Sequence, residues 1–404
     1  MSVLLIGTLD TKGAEFAHVR DRLRAAGVAV TLADAGVVAP PTFAPDVSRE
    51  QVFQLAGASA AAVKGAGDRG KAVALAAAGA AKLAARMHAE GTLTGVMGLG
   101  GSAGTTIGTA AMRAVPVGVP KLMVSTLASG QVQPYVGTRD VMMMHSVVDV
   151  AGLNRVSRTV LDNAAAAMAG MVLARREATP TPPDRPVIAA TMFGVTTPCV
   201  EAARARLEAA GYEVLVFHAT GTGGRTMEGL IRDGLVAGVL DITTTELADE
   251  LVGGVLSAGP DRLTAASLKG VPQVISVGAL DMVNFGPPDT VPVKFKERRF
   301  HQHNPTITLM RTTPEEMDRL GLELTQKASA SSGRAAVVMP LRGVSALDAP
   351  GQPFWWPEAN AALVQSVRNW IAPNVELLEL DLHINDPAFA AACANALLDL
   401  LRPR

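Results

Sequence analysis

Aromatic residues, cysteines and long apolar runs are scarce in this chain, and each scarcity removes a class of function. Phe, Trp and Tyr make up 4% of its 404 residues, too few stacking platforms for a dedicated single-strand nucleic-acid binder. The two cysteines, Cys199 and Cys393, lie far apart and fit no metal-ligand spacing, so they read as buried reduced thiols in a reducing cytoplasm. No run of about eighteen apolar residues escapes a charge or a glycine, and the apolar start Val3 to Ile6 runs into Asp10 and Lys12, which argues against a membrane span and a signal peptide. Charge of one sign is lacking too. With 36 Lys plus Arg against 37 Asp plus Glu, no net field steers the chain toward nucleic acid or anionic lipid.

What is present is a hydrophobic content of 49% with 18% charged residues, enough to bury a large core. At roughly 150 residues per domain the length suggests two domains. Four prolines in TPTPPDRP mark a linker at 179–186. It separates an N-terminal domain, 1–178, from a C-terminal one, 187–404. The apolar spacing predicts one long helix over 147–176, leading out of the first domain.

Laid on itself, the chain shows an internal repeat. The stretch from Val3 to Gly36 matches that from Val187 to Gly221, with Arg20 over Arg204, Leu23 over Leu207 and Gly27 over Gly211. Further on, GVMGLG at Gly95 faces GVLDIT at Gly238, and GVPKLMVS at Gly118 faces GVPQVISV at Gly270. Each copy reads as strand, polar loop, amphipathic helix and strand, a βαβ unit. The expected fold is α/β, two Rossmann-like domains with doubly wound, mainly parallel sheets related by duplication. Ligands of such sheets bind beyond the carboxyl ends of the strands.

In the first domain three loops should converge at that edge: Thr8 to Gly13, Gly98 to Thr106, and Ser125 to Gly130. The middle one, GLGGSAGTT, follows a strand and opens a helix, so its glycines let the backbone approach an anion while helix amides point at it. Ser102, Thr105 and Thr106 add hydroxyls. It lacks the Gly-Lys-Ser/Thr ending of a Walker loop and the downstream acid of a dinucleotide fold, which leaves a nucleotide or another phosphoester rather than NAD. Lys12 can neutralise a phosphate, and Asp10 can take a magnesium water or a ribose hydroxyl. Lys64 and Gly67 to Gly70 are weaker candidates for the same site.

In the second domain, Gly221 to Arg225 is a candidate anion loop, with Glu228 three residues on. Asp241, Glu246, His301 and His303 are the candidate acid–base cluster. His301 and His303 share one face of an extended segment, but no third metal ligand has a diagnostic spacing, so no metal site is assigned. Met142 to Met144 reads as core filler, and Trp355-Trp356 as a packed corner.

GTLDTKGAE, the Asp68-Arg69-Gly70 turn, GLGGSAGT, MMHSVVDVAGLN, ATGTGGRTMEGL, TTTELADELVGG and FWWPEAN together resemble the Tm-one-like ATP-binding family, known from the N-terminal half of a tomato tobamovirus-resistance protein. The resemblance spans essentially the whole chain. It implies ATP binding, with Mg2+, by a two-subdomain protein that forms homodimers. Matched motif by motif, it places the phosphates on Gly98, Gly100, Gly101, Ser102, Gly104 and Thr105, near Thr8, Asp10 and Lys12. The expected function is a nucleotide-binding protein, with an enzyme acting on a small acid between the domains as its catalytic form. The alternatives are a hydrolase or lyase of a phosphorylated or carboxylated metabolite without ATP, and a dimeric scaffold.

Overall fold

The structure, a computed structural model, describes residues 1–177 and 185–402. Of the expected linker, 179–184 lies outside the described residues. Two compact units, Met1–Thr181 and Pro182–Arg404, account for the chain.

The first unit is built on five parallel strands: β1 (Ser2–Gly7), β2 (Val30–Asp34), β3 (Leu93–Gly100), β4 (Lys121–Ser125) and β5 (Met142–His145), in the order β2-β1-β3-β4-β5. Because strand side chains alternate between faces, Leu4 and Ile6 enter one core with the helices Arg49–Leu55, Arg69–Ala89 and Ser102–Arg113. Val3 and Leu5 enter the other core with the helices Leu9–Ala25 and Arg155–Glu177. Both faces are therefore covered, which is why the strands read as continuous apolar runs. The last helix begins later than its apolar spacing predicts. Asn154 Oδ1 accepts the amides of Val156 and Ser157 at 2.9 Å, stopping the helix there and leaving 147–153 as loop. Met142 is 45% exposed on edge strand β5, not core filler.

The second unit has six parallel strands: β6 (Val187–Met192), β7 (Glu213–His218), β8 (Gly238–Thr243), β9 (Gln273–Gly278), β13 (Ala335–Pro340) and β14 (Val375–Leu380). Their order is β14-β13-β9-β8-β6-β7, so its first five strands repeat the order of the other sheet. Between β9 and β13, a three-stranded antiparallel sheet of β10 (Met282–Phe285), β11 (Phe300–Asn304) and β12 (Ile307–Arg311) runs in the order β10-β12-β11. Asn284 and His301 to Asn304 are strand residues of this insertion, so the extended segment expected for His301 and His303 is β11. No helix among the described residues is long and apolar enough to cross a membrane.

Candidate functional site

In the first sheet the chain builds outward from β1 to β2 on one side and to β3 on the other, so the loops after β1 and β3 part at the carboxyl edge. Such a switch point leaves a crevice. A cavity of about 460 Å³ lies there, reached by the loops after β1, β2 and β3, by the start of the helix Arg69–Ala89, and by Asp149. Thr8, Asp10 and Lys12 line it, the last two from the first turn of the helix Leu9–Ala25 rather than from the expected loop. Gly100, Gly101, Ser102 and Gly104 line it from the end of β3 and the start of the helix Ser102–Arg113.

The glycines have separate jobs. Gly100 has φ +148°, a conformation side chains rarely adopt. A Cβ on Gly104 would sit 2.9 Å from the Leu99 carbonyl oxygen, so glycine lets the helix Ser102–Arg113 start hard against its own strand. Gly101 is the N-cap and supplies no side-chain cap, and no acid occupies the first turn. The first-turn amides of Ser102, Ala103 and Gly104 therefore border the cavity with no side-chain acceptor of their own. Gly98 and Thr105 do not line it. Gly98 permits strand–helix contact, because a Cβ there would lie 3.2 Å from Gly108 Cα. Thr105 is buried and donates to the Gly101 carbonyl at 2.8 Å, with Ser125 Oγ at 2.7 Å, closing the loop from behind.

The charged residues divide in the same way. The Asp10 side chain is 1% exposed, and its Oδ2 accepts the amides of Val38 at 2.8 Å and Ala39 at 3.3 Å, so it shapes the wall after β2. Asp34 Oδ1 accepts the amides of Leu9 at 3.1 Å and Gly36 at 2.9 Å, and Arg49 Nε donates to its Oδ2 at 2.7 Å. Half-buried Lys12 interrupts the first helix with φ −131° and donates to the Val150 carbonyl. Arg69, exposed and with no ion pair among the described residues, is the other lining cation. Its neighbour Asp68 caps that helix by accepting the Lys71 amide at 2.9 Å. Asp149 is the lining acid with an exposed side chain. Sequence reasoning missed Asp149 and the apolar wall of Val37, Val38, Ala72 and Ala76, since nothing in their spacing separates them from ordinary loop and helix positions.

In the second unit, Asp241 and Glu246 do meet, around an arginine that the sequence reading did not single out. Arg262, 1% exposed, donates to Asp241 Oδ2 at 2.5 Å and Oδ1 at 2.6 Å, and to Glu246 Oε2 at 2.7 Å. Glu228 lies 3.5 Å from the same guanidinium and accepts the amides of Leu263 at 2.7 Å and Ala265 at 2.8 Å. Burial alone works against the Arg262 charge, yet Asp241, Glu246 and Glu228 hold its pKa well above the ordinary value. Burial pushes Glu228 upward against the pull of Arg262.

The candidate anion loop is closed by this network. Glu246 Oε1 accepts the amides of Gly221 and Gly224, and a Cβ on Gly224 would meet the same carboxylate at 2.1 Å. Arg225 points outward and donates to the Ser257 carbonyl at 3.4 Å. His301 and His303 lie on β11 and hydrogen-bond to none of these acids; the His301 ring packs edge-on to Phe354 at 6.2 Å. Among the described residues, no three His, Cys, Asp or Glu side chains are grouped to hold a metal.

Residues 1–177 match the "Uncharacterised protein family (UPF0261) N-terminal domain", and 185–401 match the corresponding C-terminal domain. A UPF0261 protein of Clostridium tetani is 47% identical over 400 residues, covering 99% of this chain and 98% of its own. Another, of Rhizobium meliloti, is 48% identical over 403 residues, covering 99% of both. The ToMV resistance protein Tm-1(GCR237) of Solanum lycopersicum is 48% identical over 316 residues, 77% of this chain and 42% of that longer protein. With both halves matched in order and relatives aligned from end to end, the chain belongs to the UPF0261 family, in its Tm-1-like form.

Proposed function

We propose that this protein binds a phosphate-bearing small molecule, a nucleotide, in the switch-point cavity of its first unit. One observation carries the reading: the glycine-started helix Ser102–Arg113 opens onto the cavity with its first-turn amides uncapped by any side chain. Aligned amides and the positive end of the helix dipole favour an anion there. Lys12 and Arg69 add charge, Thr8 and Ser102 add hydroxyls, and the apolar wall suits a less polar moiety. About 460 Å³ is within the range of small-molecule sites, roughly 300 to 1,000 Å³.

ATP with Mg2+ is the form of this ligand that the family resemblance favours. The glycine loop fits phosphates. A magnesium ion fits less directly, since the Asp10 carboxylate is covered; exposed Asp149 and the phosphate oxygens themselves would hold it. Magnesium would supply charge neutralisation, while the chain's own amides orient the phosphate. The strand order common to the two sheets supports descent from one duplicated unit, of which the first keeps the open cradle.

Thermal unfolding of the full chain with ATP and Mg2+, ATP alone, AMP and NAD tests the reading. A ligand at a hundred times its Kd adds about 2.7 kcal/mol to stability. Stabilisation by ATP at millimolar concentration, and none by NAD, is expected. No shift with any phosphate compound overturns the proposal.

A further inference from the structure

Beyond the strands β9 and β13, the second sheet holds two acids whose hydrogen bonding does not close. Asp281 follows β9 and Asp348 ends the turn after β13; both are 0% exposed. That turn draws them to one place. Ser345 donates its hydroxyl to Asp281 Oδ2 at 2.7 Å, while the preceding Val344 amide donates to Asp348 Oδ2 at 3.0 Å. Asn360 Nδ2 donates to the same Asp348 oxygen at 2.8 Å. The remaining oxygen of each acid, Oδ1, is buried with no hydrogen-bond partner. An ionised oxygen deprived of both water and donors is costly to bury.

The surrounding charges do not balance the pair. Arg311 on β12, itself 0% exposed, places Nη2 3.7 Å from Asp348 Oδ1. Its other bonds go to the Phe354 carbonyl, to Thr312 and to Asn360 Oδ1. Arg299 and Glu316 act on Arg311 with opposite signs. From the segment after β14, His383 Nε2 is engaged at 2.9 Å with the Ser345 carbonyl. One guanidinium thus faces two buried carboxyls, and two carboxylates sharing a site cannot both stay ionised at ordinary pH.

We propose that Asp281 and Asp348 act as a coupled acid pair, which in the folded protein at mildly acidic pH keeps one carboxyl protonated and leaves one negative charge for Arg311. Burial first, and then the Asp348 charge, pushes Asp281 up to about 7, and burial also raises Asp348. Groups coupled in this way titrate together. Because the folded value lies above the unfolded one, the pair's contribution to stability is full below the ordinary carboxylate range and is lost as pH rises to about 7. Above that pH a second charge appears beneath the turn that both acids support.

A 13C-aspartate NMR titration of the full chain tests this. The Cγ resonances of Asp281 and Asp348 are both expected to report the same step near pH 7, in which the remaining proton leaves, with the pair's first proton lost at lower pH. In Asp348→Asn, the Asp281 step should move to lower pH by roughly tenfold in proton affinity. Should that variant fail to fold, Ser345→Ala keeps both acids, removes the donor to the ionised form, and should move the shared step to higher pH. A separate step for each acid, titration of both acids below about pH 5, or an Asp281 step unmoved in Asp348→Asn overturns the proposal.

Discussion

Glu246 places Oε1 2.6 Å from the Gly221 amide and 3.1 Å from the Gly224 amide, where a bound anion would sit at the start of the helix Thr222–Arg232. By contrast, the glycine-started helix of the first unit, Ser102–Arg113, has no acid in its first turn and borders an open cavity. One unit therefore fills its glycine loop from within, and the other leaves it available.

Removing that internal carboxylate should damage the fold. Glu246→Ala strands part of the Arg262 guanidinium and two amides in a buried setting, and breaking a buried pair costs about 3 to 5 kcal/mol. Urea unfolding measures the loss. A change under about 1 kcal/mol would show that the network carries little of the stability.

Ligand affinity should respond to a different set of residues. Hydrogen bonds to charged groups contribute about 1.5 to 3 kcal/mol, so Arg69→Ala is expected to weaken ATP binding by about tenfold or more. Its unfolding midpoint should stay put, because the side chain is exposed and unpaired among the described residues. Calorimetric titration decides; unchanged affinity removes Arg69 from the site.

Two glycines in the same loop should separate folding from binding. A Cβ on Gly98 meets Met123 Sδ at 3.0 Å and Gly108 Cα at 3.2 Å, so Gly98→Ala overpacks the strand–helix contact at about 1 to 3 kcal/mol. A Cβ on Gly101 meets nothing nearer than Thr126 Oγ1 at 3.7 Å, and Gly101→Ala should fold normally. Equal melting temperatures for the two variants would contradict this.

Asp249 gives a pH signature of its own. Burial chiefly pushes it up to about 7, against the donors from Asn284 and Leu256. Its folded pKa exceeds the unfolded one, so its contribution is present below the usual carboxylate range and lost as pH rises toward 7. Asp249→Asn should flatten that part of the profile, each tenfold change in proton affinity being worth roughly 1.4 kcal/mol. The amide is tolerable because Asn284 Oδ1 has no partner, and flipping Asn284 would supply an acceptor. A stability profile between pH 4 and 7 identical to the parent's would refute the assignment.

The parallel sheets and the loops at their carboxyl ends were legible in the sequence because β-branched runs alternate with helical periodicity and glycine interrupts them at fixed places. Seven residues read from the first-domain loops line the cavity, from Thr8 to Gly104. Roles within those loops were less legible. Gly98 and Gly104 look alike in sequence, and only packing shows that Gly98 faces Gly108 rather than the cavity. Asp10 reads as a ligand contact until Val38 and Ala39 are seen to cover it. Arg262 carries no local pattern at all, since its partners Glu228, Asp241 and Glu246 come from other elements and are joined only by the fold. The antiparallel insertion escaped notice because β10 and β11 are short, and four of the five residues of β11 are polar.

Asp34 fastens the loop after β1 and the loop after β2 with a single carboxylate oxygen, while Arg49 braces the other. Two sides of the cavity are thus tied by one side chain, whether or not the proposed ligand is bound. Entry then demands little ordering of the chain, so association should proceed without a slow closing step, and free and loaded forms should differ little in backbone shape.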